Sequence, residues 1–375
     1  MLKQFIFGAG LYARNLIAHL MLKNEKIDGL IVTDTEANPQ NVMGVEVFSK
    51  YKIFALKEDI CVYVGVSESY KDEVIQELRS IGTVHINYEC PTPIQKKYYH
   101  YVTDERFLSV WYLYHTDKYL AWNNLKTYNE KIQWLKLYDN SSIRTKLSDK
   151  YLVREYVANA IGDKYLIPLY GVWNNFHDID FDTLPNDFVL KCNHGSGYNI
   201  IVNNKKMLNL NKAEEKFNEW MENDFSDFGM ELQYKHIERK IIAEKFLHNK
   251  DNEDLMDYKF FVFDGTVRYI QVDIDRFKNH RRNLFTREWQ YIPYSIGFPN
   301  APEVKLPKPQ KIEEMLSIAE NLGKNFLHVR VDLYLFEENI YFGELTFTHG
   351  SGTEKFTPEE FGVEMGKWIC TERNT

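Results

Sequence analysis

The stretch Val329-Arg330-Val331-Asp332, followed twelve residues past its acid by Glu344-Leu345-Thr346, decides how this chain is read. Alternation along a strand puts Arg330 and Asp332 on one face. A turn near Glu337–Asn339 folds the segment back, so His328 to Phe347 is expected to form a hairpin. Asp332 and Glu344 then lie on facing arms and converge on one edge. Two such carboxylates, with room for phosphate beside them, are what Mg2+ takes. A surface ladder of opposite charges uses the same residues, so the neighbouring motifs have to decide.

Toward the N-terminus, Met256–Ile274 predicts another hairpin, turning at Asp264-Gly265 and carrying Lys259. Between the hairpins, Ile312, Met315, Leu316, Ala319 and Leu322 recur at helical spacing. Phe188–Lys191 and Tyr198–Val202 read as strands flanking the loop Cys192-Asn193-His194-Gly195-Ser196-Gly197. Its backbone N–H groups suit phosphate oxygens, with Lys191 neutralising the charge. This is no Walker loop, because the lysine precedes the glycines and no helix follows; an ordinary hairpin turn has the same composition. Ile241–Leu247 is an apolar strand ending in Glu244-Lys245-Phe246-Leu247, a composition that can border a flat ring. His-Gly-Ser-Gly recurs at 349–352, too short to argue duplication. A histidine beside a glycine turn is commonly a hydrogen-bonded spacer, and His194 and His349 are read so for acid–base purposes.

Residues 100–162 are helical in pattern. Thr127 and Glu130 make a capping box, which Ile132, Leu135 and Tyr138 continue. A second helix is expected from about Ser148, with Leu152, Tyr156 and Val157 on one face and Gly162 at its end.

Upstream the pattern is α/β. Phe5–Phe7 is a short strand, and Gly8-Ala9-Gly10-Leu11-Tyr12-Ala13 then opens a helix, as in turns that bring backbone close to a phosphate. Asp34 ends the second strand, Gly29–Asp34, where a carboxylate can accept from ribose hydroxyls. Cys61–Val66 is a further strand, followed by a helix over 70–80. The alternation predicts a parallel sheet. The turn suits a nucleotide or nucleotide-sugar; a sheet domain that kept the turn and binds nothing fits as well. Pro91-Thr92-Pro93 marks a boundary. The expected class is α/β: a small Rossmann-like domain over 1–92, then an α+β body over 93–375 with antiparallel sheets. In that body a helical segment over 100–162 precedes a flap lobe at about 185–247 and hairpins at about 255–350.

Composition narrows the function classes. The 375 residues allow two to three domains, and 44% apolar with 15% aromatic content disfavours disorder. A net charge of −8 without a basic arm argues against nucleic-acid partners. Four cysteines with no CxxC pair predict reduced thiols and a cytoplasmic address. Neither a signal peptide nor a membrane span is expected. No heptad or apolar patch predicts an oligomer.

Taken in chain order, the segments resemble the ATP-grasp superfamily, which couples ATP hydrolysis to carboxylate–amine bond formation. Within it, TYNEKIQWLKLYD, KLSDKYLVREYVANAIG, LKCNHGSGYNIIV, DYKFFVFDG and FGELTFTHGSG resemble the TupA-like branch, over roughly residues 100–365. That branch is linked to teichuronopeptide and capsular-polysaccharide biosynthesis and is sometimes labelled as glycosyltransferases. The resemblance implies ATP and Mg2+ as cofactors. It implies Lys150, Lys191 and Lys259 as phosphate contacts and His194-Gly195-Ser196-Gly197 as the flap. It also implies Glu244, Lys245 and Leu247 at the adenine hinge, Asp251 at the ribose, and Arg330 with the metal acids Asp332 and Glu344. Thr346 stands where the superfamily usually has Asn, as a third metal ligand. Residues 1–90 resemble the nucleotide-sugar domain of bacterial sugar acyltransferases, on the glycine turn with Gly8 and Gly10, Asp34, and Asn38-Pro39 to Val47. The implied reaction joins a carboxylate, expected to be a uronic acid or its UDP-sugar, to an amine or amino acid through an acyl phosphate. Arg276, just after a strand, is the expected clamp for the substrate carboxylate. A glycosyltransferase of capsule or cell-wall assembly is the alternative, and a non-catalytic assembly protein a third reading.

Overall fold

A computed structural model describes residues 2–56, 58–82, 84–88, 92–247, 255–275 and 278–371. The chain divides into two compact units, Met1–Asn123 with Asp227–Met230, and Asn124–Ser226 with Glu231–Thr375. The first unit runs on past Pro91-Thr92-Pro93 to Asn123.

In the first unit the short apolar runs become β1 (Lys3–Phe7), β2 (Gly29–Val32), β3 (Asn41–Val42), β4 (Val45–Ser49), β5 (Ile60–Val64) and β6 (Val84–Asn87). They form one sheet in the order β3-β4-β2-β1-β5-β6, parallel except for the β3–β4 hairpin. Helix α1 (Leu11–Leu22) follows β1, α2 (Lys50–Phe54) follows β4, and α3 (Glu68–Ile81) follows β5. One face of the sheet buries Phe5, Phe7, Ile31, Val62 and Val64 under α2 and α3. Helix α4 (Asp104–Thr116) ties to α1, where Arg14 Nη1 donates to Tyr114 O at 2.8 Å.

The second unit opens with α5 (Tyr128–Tyr138), whose Thr127–Glu130 capping box is present as expected. Next come α6 (Ser142–Ser148) and α7 (Val153–Ile161). The helix expected from about Ser148 starts only at Val153, and the separate α6 ends at Ser148. Asp149 delays it: its Oδ1 accepts from the backbone of Tyr151 (2.8 Å) and Leu152 (3.1 Å), a side-chain turn that competes with the helical ladder. Of the expected face Val157 is buried as read, whereas Leu152 faces solvent and Val153 is buried.

Strands β7 (Leu169–Trp173), β8 (Phe188–Cys192), β9 (Asn199–Val202) and β10 (Ile241–Glu244) form an antiparallel sheet in the order β7-β10-β8-β9. One face, with Phe188, Leu190, Cys192, Ile241 and Ala243, is sealed by Ala213 and Phe217 of α8 (Leu210–Glu222). A larger antiparallel sheet runs β14-β13-β12-β11-β16-β17: β11 (Asp257–Phe263), β12 (Thr266–Ile274), β13 (Arg281–Thr286), β14 (Tyr291–Ile292), β16 (His328–Phe336) and β17 (Asn339–Thr346). The short β15 (Ser295–Ile296) pairs with β18 (Phe356–Thr357). Tyr258, Phe260, Val329, Val331 and Leu345 pack beneath the helix Ile312–Gly323. Phe261, Phe263 and Tyr269, on the opposite face, pack against α5 and the helix Glu359–Gly366. Among the described residues no helix is long and apolar enough to cross a membrane, and Cys61, Cys192 and Cys370 are free thiols.

Candidate active site

The polar face of the larger sheet follows from strand alternation. Because Phe260, Val329, Val331 and Leu345 point into one core, Asp257, Lys259, Arg330, Asp332, Glu344 and Thr346 share the other side. Register brings them together: Lys259 pairs with Asp332, Asp332 with Glu344, and Arg330 with Thr346. A bulge after Asp332 takes up Gly343, so both Phe342 and Leu345 reach the core while Glu344 keeps its face.

Arg330 grips Asp332 side-on, Nε to Oδ1 and Nη2 to Oδ2, both at 2.7 Å. Its Nη2 also reaches Thr346 Oγ1 at 3.0 Å and Glu344 Oε1 at 3.3 Å, and Thr346 Oγ1 donates to Glu344 Oε1 at 3.1 Å. Burial works against the Glu344 carboxylate, but the charges of Lys150, Arg330 and Lys259 hold its pKa below the ordinary value. Glu344 is thus a partly exposed anion at the meeting point of three cations.

Lys259 is caged by acids: Asp257, Asp273 Oδ2 at 3.2 Å and Asp332 Oδ2 at 3.6 Å. Asp273 also accepts from Arg282 Nε at 3.0 Å, and Arg282 Nη1 reaches Glu354 Oε1 at 2.8 Å. Glu354 Oε2 lies 2.8 Å from His349 Nε2, and His349 Nδ1 meets Arg330 Nη1. The groups close a circuit: Arg330, Asp332, Lys259, Asp273, Arg282, Glu354, His349 and back to Arg330.

On the smaller sheet, Lys191, Ile242 and Glu244 face away from the α8 core. Lys191 Nζ is 2.5 Å from Glu244 Oε2, and Arg154 Nη1 of α7 donates to Glu244 Oε1 at 3.0 Å. The side chain of Glu244 is therefore an ion-pair partner for Lys191 of β8 and Arg154 of α7. Lys245 N donates to Pro168 O at 2.9 Å, and Leu247 is buried with Ile167 and Phe336.

The Lys150 turn and the glycine loop are clipped together. Asn193 Nδ2 donates to Asp149 Oδ2 at 2.9 Å, Lys150 N donates to Asn193 O at 2.9 Å, and Lys150 Nζ donates to Gly195 O at 2.5 Å. Burial lowers the Lys150 pKa, Glu344 opposes this, and the Lys191 charge adds to it. Those two influences put Lys150, Lys191 and Glu344 in one electrostatic neighbourhood. Gly195 and Gly197 both have positive φ, 71° and 77°, which a side chain at those turns would strain. His194 is buried; its Nε2 donates to Trp220 O at 3.0 Å, and burial lowers its pKa to about 4. Its ring anchors the loop to α8.

The second His-Gly-Ser-Gly is pinned from behind by α5. Lys136 Nζ donates to Ser351 O (3.0 Å), Ser351 Oγ (2.9 Å) and Gln133 Oε1 (3.0 Å). Burial lowers the Lys136 pKa to about 7 against the pull of Glu231. Thr348 Oγ1 donates to Glu231 and accepts from Gln233 Nε2 at 2.8 Å.

Several expected residues lie elsewhere. Gly8, Gly10 and Asp34 belong to the first unit, where Gly10 precedes α1 and Asp34 Oδ1 accepts from Glu36 N at 2.8 Å. Asp251 and Arg276 fall outside the described residues. The basic run after β12 is engaged in ion pairs where it is described, Arg281 with Asp275 and Glu303, and Arg282 with Asp273 and Glu354.

Asp257, Asp273, Glu354 and Arg154 were not singled out from sequence, and Arg282 was noted only within a basic run. Asp257 carried a usable signal, since it lies two residues before Lys259. Asp273 did not: counting back from the Asp264-Gly265 turn pairs Lys259 with Ile270. A bulge between Phe261 and Val262 moves that partner to Gln271 and brings Asp273 to the polar face.

The oxygen set Asp332, Glu344 and Thr346 fits Mg2+, which is commonly held by one or two carboxylates with substrate phosphates completing its shell. Among the described residues no group of three His, Cys, Asp or Glu could hold a metal ion.

Residues 130–370 match the family model described as TupA-like ATPgrasp. No curated protein matches. Among solved structures the chain is similar to D-alanine–D-alanine ligase from Bacillus anthracis, at 14% identity over 92% of this chain and 87% of that one, TM-score 0.31. It is similar to N5-carboxyaminoimidazole synthase from Aspergillus clavatus at 14% identity, over 92% and 69%, TM-score 0.32. It is also similar to a RiPP-associated ATP-grasp ligase from Chryseobacterium gregarium at 12% identity, over 99% and 97%, TM-score 0.32.

Proposed function

The chain belongs to the TupA-like ATP-grasp family, and on that premise we propose that it is an ATP-dependent ligase joining a uronic-acid carboxylate to an amine or amino acid. The observation that carries the reading is the gathering of Lys150, Lys259 and Arg330 about Asp332 and Glu344, with Lys191 in the electrostatic neighbourhood of Lys150. A carboxylate attacking a triphosphate brings two anions together. At 4 Å unit charges repel by about 1 kcal/mol in water and about 4 kcal/mol at an effective dielectric of 20. Closing the site therefore calls for cations already in place.

In this reading Lys150 and Lys191 neutralise the phosphates, the Gly195–Gly197 loop covers them, and backbone at Glu244–Leu247 borders the base. Asp332, Glu344 and Thr346 would hold Mg2+, whose charge would shield the phosphate oxygens. The substrate carboxylate attacks the γ-phosphorus; its O–P bond forms as the bridging P–O bond breaks and ADP leaves. The amine then attacks the acyl carbon, phosphate departs with the C–O pair of electrons, and the amine gives up a proton. Arg330 and Lys259 face the charge that develops, and the loop excludes water that would hydrolyse the acyl phosphate.

The first unit supplies the reason to name a sugar: its glycine turn and Asp34 suit a nucleotide-sugar, so UDP-glucuronate is the carboxylate to try first. The test is ADP release with Mg-ATP, UDP-glucuronate and a pool of amines and amino acids, with mass spectrometry of the sugar nucleotide. Amine-dependent ADP release with a condensed product supports the proposal. Sugar transfer without ATP consumption would replace it with the glycosyltransferase reading.

A further inference from the structure

Four N–H directions of the Arg330 guanidinium are taken. Nε and Nη2 grip Asp332, Nη2 is shared with Thr346 and Glu344, and Nη1 meets His349 Nδ1. Arginine does not give up a proton, so Nδ1 has to be the acceptor and the imidazole carries its hydrogen on Nε2. His349 Nε2 lies 2.8 Å from Glu354 Oε2, an ion-pair distance without hydrogen-bond geometry, and the other Glu354 oxygen is held by Arg282 Nη1 at 2.8 Å. The tautomer follows from the Arg330 side of the ring. Phe261 seats it edge-on, ring centroids 5.0 Å apart, and His349 is 2% exposed.

We infer that His349 is a positioning residue: its Nδ1 lone pair, left free by the tautomer that Arg330 imposes, fixes the plane of Arg330 and aims the remaining Nη1–H at the reacting oxygen. A neutral acceptor suits this place. Asp332 and Glu344 already surround the guanidinium with two anions, and a third would cancel the charge the reaction uses. An imidazolium would oppose one donor with another. A neutral imidazole adds direction without adding negative charge. The inference rests on the ligase reading for what Arg330 does, and on contacts alone for how it is held.

Asparagine and glutamine separate the two nitrogens. His349→Asn keeps an oxygen close to where Nδ1 stands, whereas His349→Gln reaches toward the Nε2 position. His349→Phe keeps the ring volume and removes both. Expected is a fall in kcat for ADP release on the order of tenfold to a hundredfold in the Phe and Gln variants, with KM for ATP unchanged and the Asn variant close to wild type. A second readout needs no turnover: the Arg330 side-chain 15N–1H signals, assigned by their loss in Arg330→Lys. They should persist in wild type and His349→Asn and shift or broaden in His349→Phe. Absence of any ADP release would count against the ligase reading, while those signals still decide how Arg330 is held. Unchanged Arg330 signals in His349→Phe, or equal loss of kcat in the Asn and Phe variants, would overturn the inference.

Discussion

Lys191 reaches diagonally across two strands to Glu244, Nζ to Oε2 at 2.5 Å, while Arg154 holds the other oxygen of the same carboxylate. An incoming phosphate therefore competes with Glu244 for Lys191, and Glu244 keeps a partner when the lysine leaves. Lys191→Ala should weaken ATP binding on the order of tenfold to a hundredfold, the value of a charged hydrogen bond. The melting temperature should move by only a few degrees, because Arg154 still pairs the acid. Calorimetric titration with ATP and thermal denaturation check both halves; a wild-type dissociation constant would remove Lys191 from the phosphate site.

Asp332 and Glu344 should respond differently to loss of charge. Asp332→Asn leaves Arg330, 7% exposed, without its two-point partner, a loss on the order of 3–5 kcal/mol in stability. Glu344→Gln alters a side chain that is 40% exposed, and should cost about 1 kcal/mol or less. It should instead raise the Mg2+ concentration needed for half-maximal ADP release. Denaturant unfolding and a Mg2+ titration separate the two; equal destabilisation by both would contradict the asymmetry.

His328 predicts an acid limb. It is fully buried, donates from Nδ1 to Val262 O at 2.9 Å, accepts from the Tyr128 hydroxyl at 2.8 Å, and burial lowers its pKa to about 3. The unfolded chain binds a proton there below its ordinary value of about 6.5, and the folded chain does not until about pH 3. Unfolding thus takes up a proton in that window, and stability falls as pH drops through it. One proton corresponds to about 1.4 kcal/mol per pH unit. Asp139, Asp149 and Glu231, whose pKa values burial raises, bind protons in the folded state and oppose the trend. The difference between wild type and His328→Phe isolates the histidine. The variant should be less stable overall, with a pH slope between 6 and 4 shallower by about one proton; parallel slopes would contradict a neutral His328.

The paired glycines of the first unit allow a clean test of its ligand. A Cβ on Gly8, at φ +120°, would stand 2.4 Å from Gly65 O, whereas one on Gly10 meets nothing within 4 Å. Gly8→Ala should therefore lower the melting temperature substantially, and Gly10→Ala should not. A folded Gly10→Ala that loses UDP-glucuronate affinity but keeps ATP affinity places the sugar nucleotide in that unit; equal loss of both ligands would sink that division of labour.

Much of this was legible in the chain, for identifiable reasons. Asp264-Gly265 fixed a two-residue turn, and both of its residues adopt positive φ. The Arg330–Asp332 spacing placed two side chains on one face whatever the register, and their bidentate contact followed. The helix expected from Ser148 begins only at Val153, because apolar spacing does not register a carboxylate that draws the preceding backbone into a turn, as Asp149 does. The acid cage of Lys259 was hidden by a bulge, since a single inserted residue changes which side chains meet. His349 was read as a spacer. Its contact with Arg330 spans two segments that no local pattern connects.

The closed circuit through Arg330, Asp332, Lys259, Asp273, Arg282, Glu354 and His349 bears on how this chain can change over generations. Each member satisfies two neighbours, so a replacement at one position leaves two partners unmet, and the harm of a second replacement depends on which was made first. Drift at these seven positions should therefore be strongly epistatic, with tolerated changes arriving as matched pairs. An engineer altering substrate preference would do better to vary residues outside the circuit than to retune any one member of it.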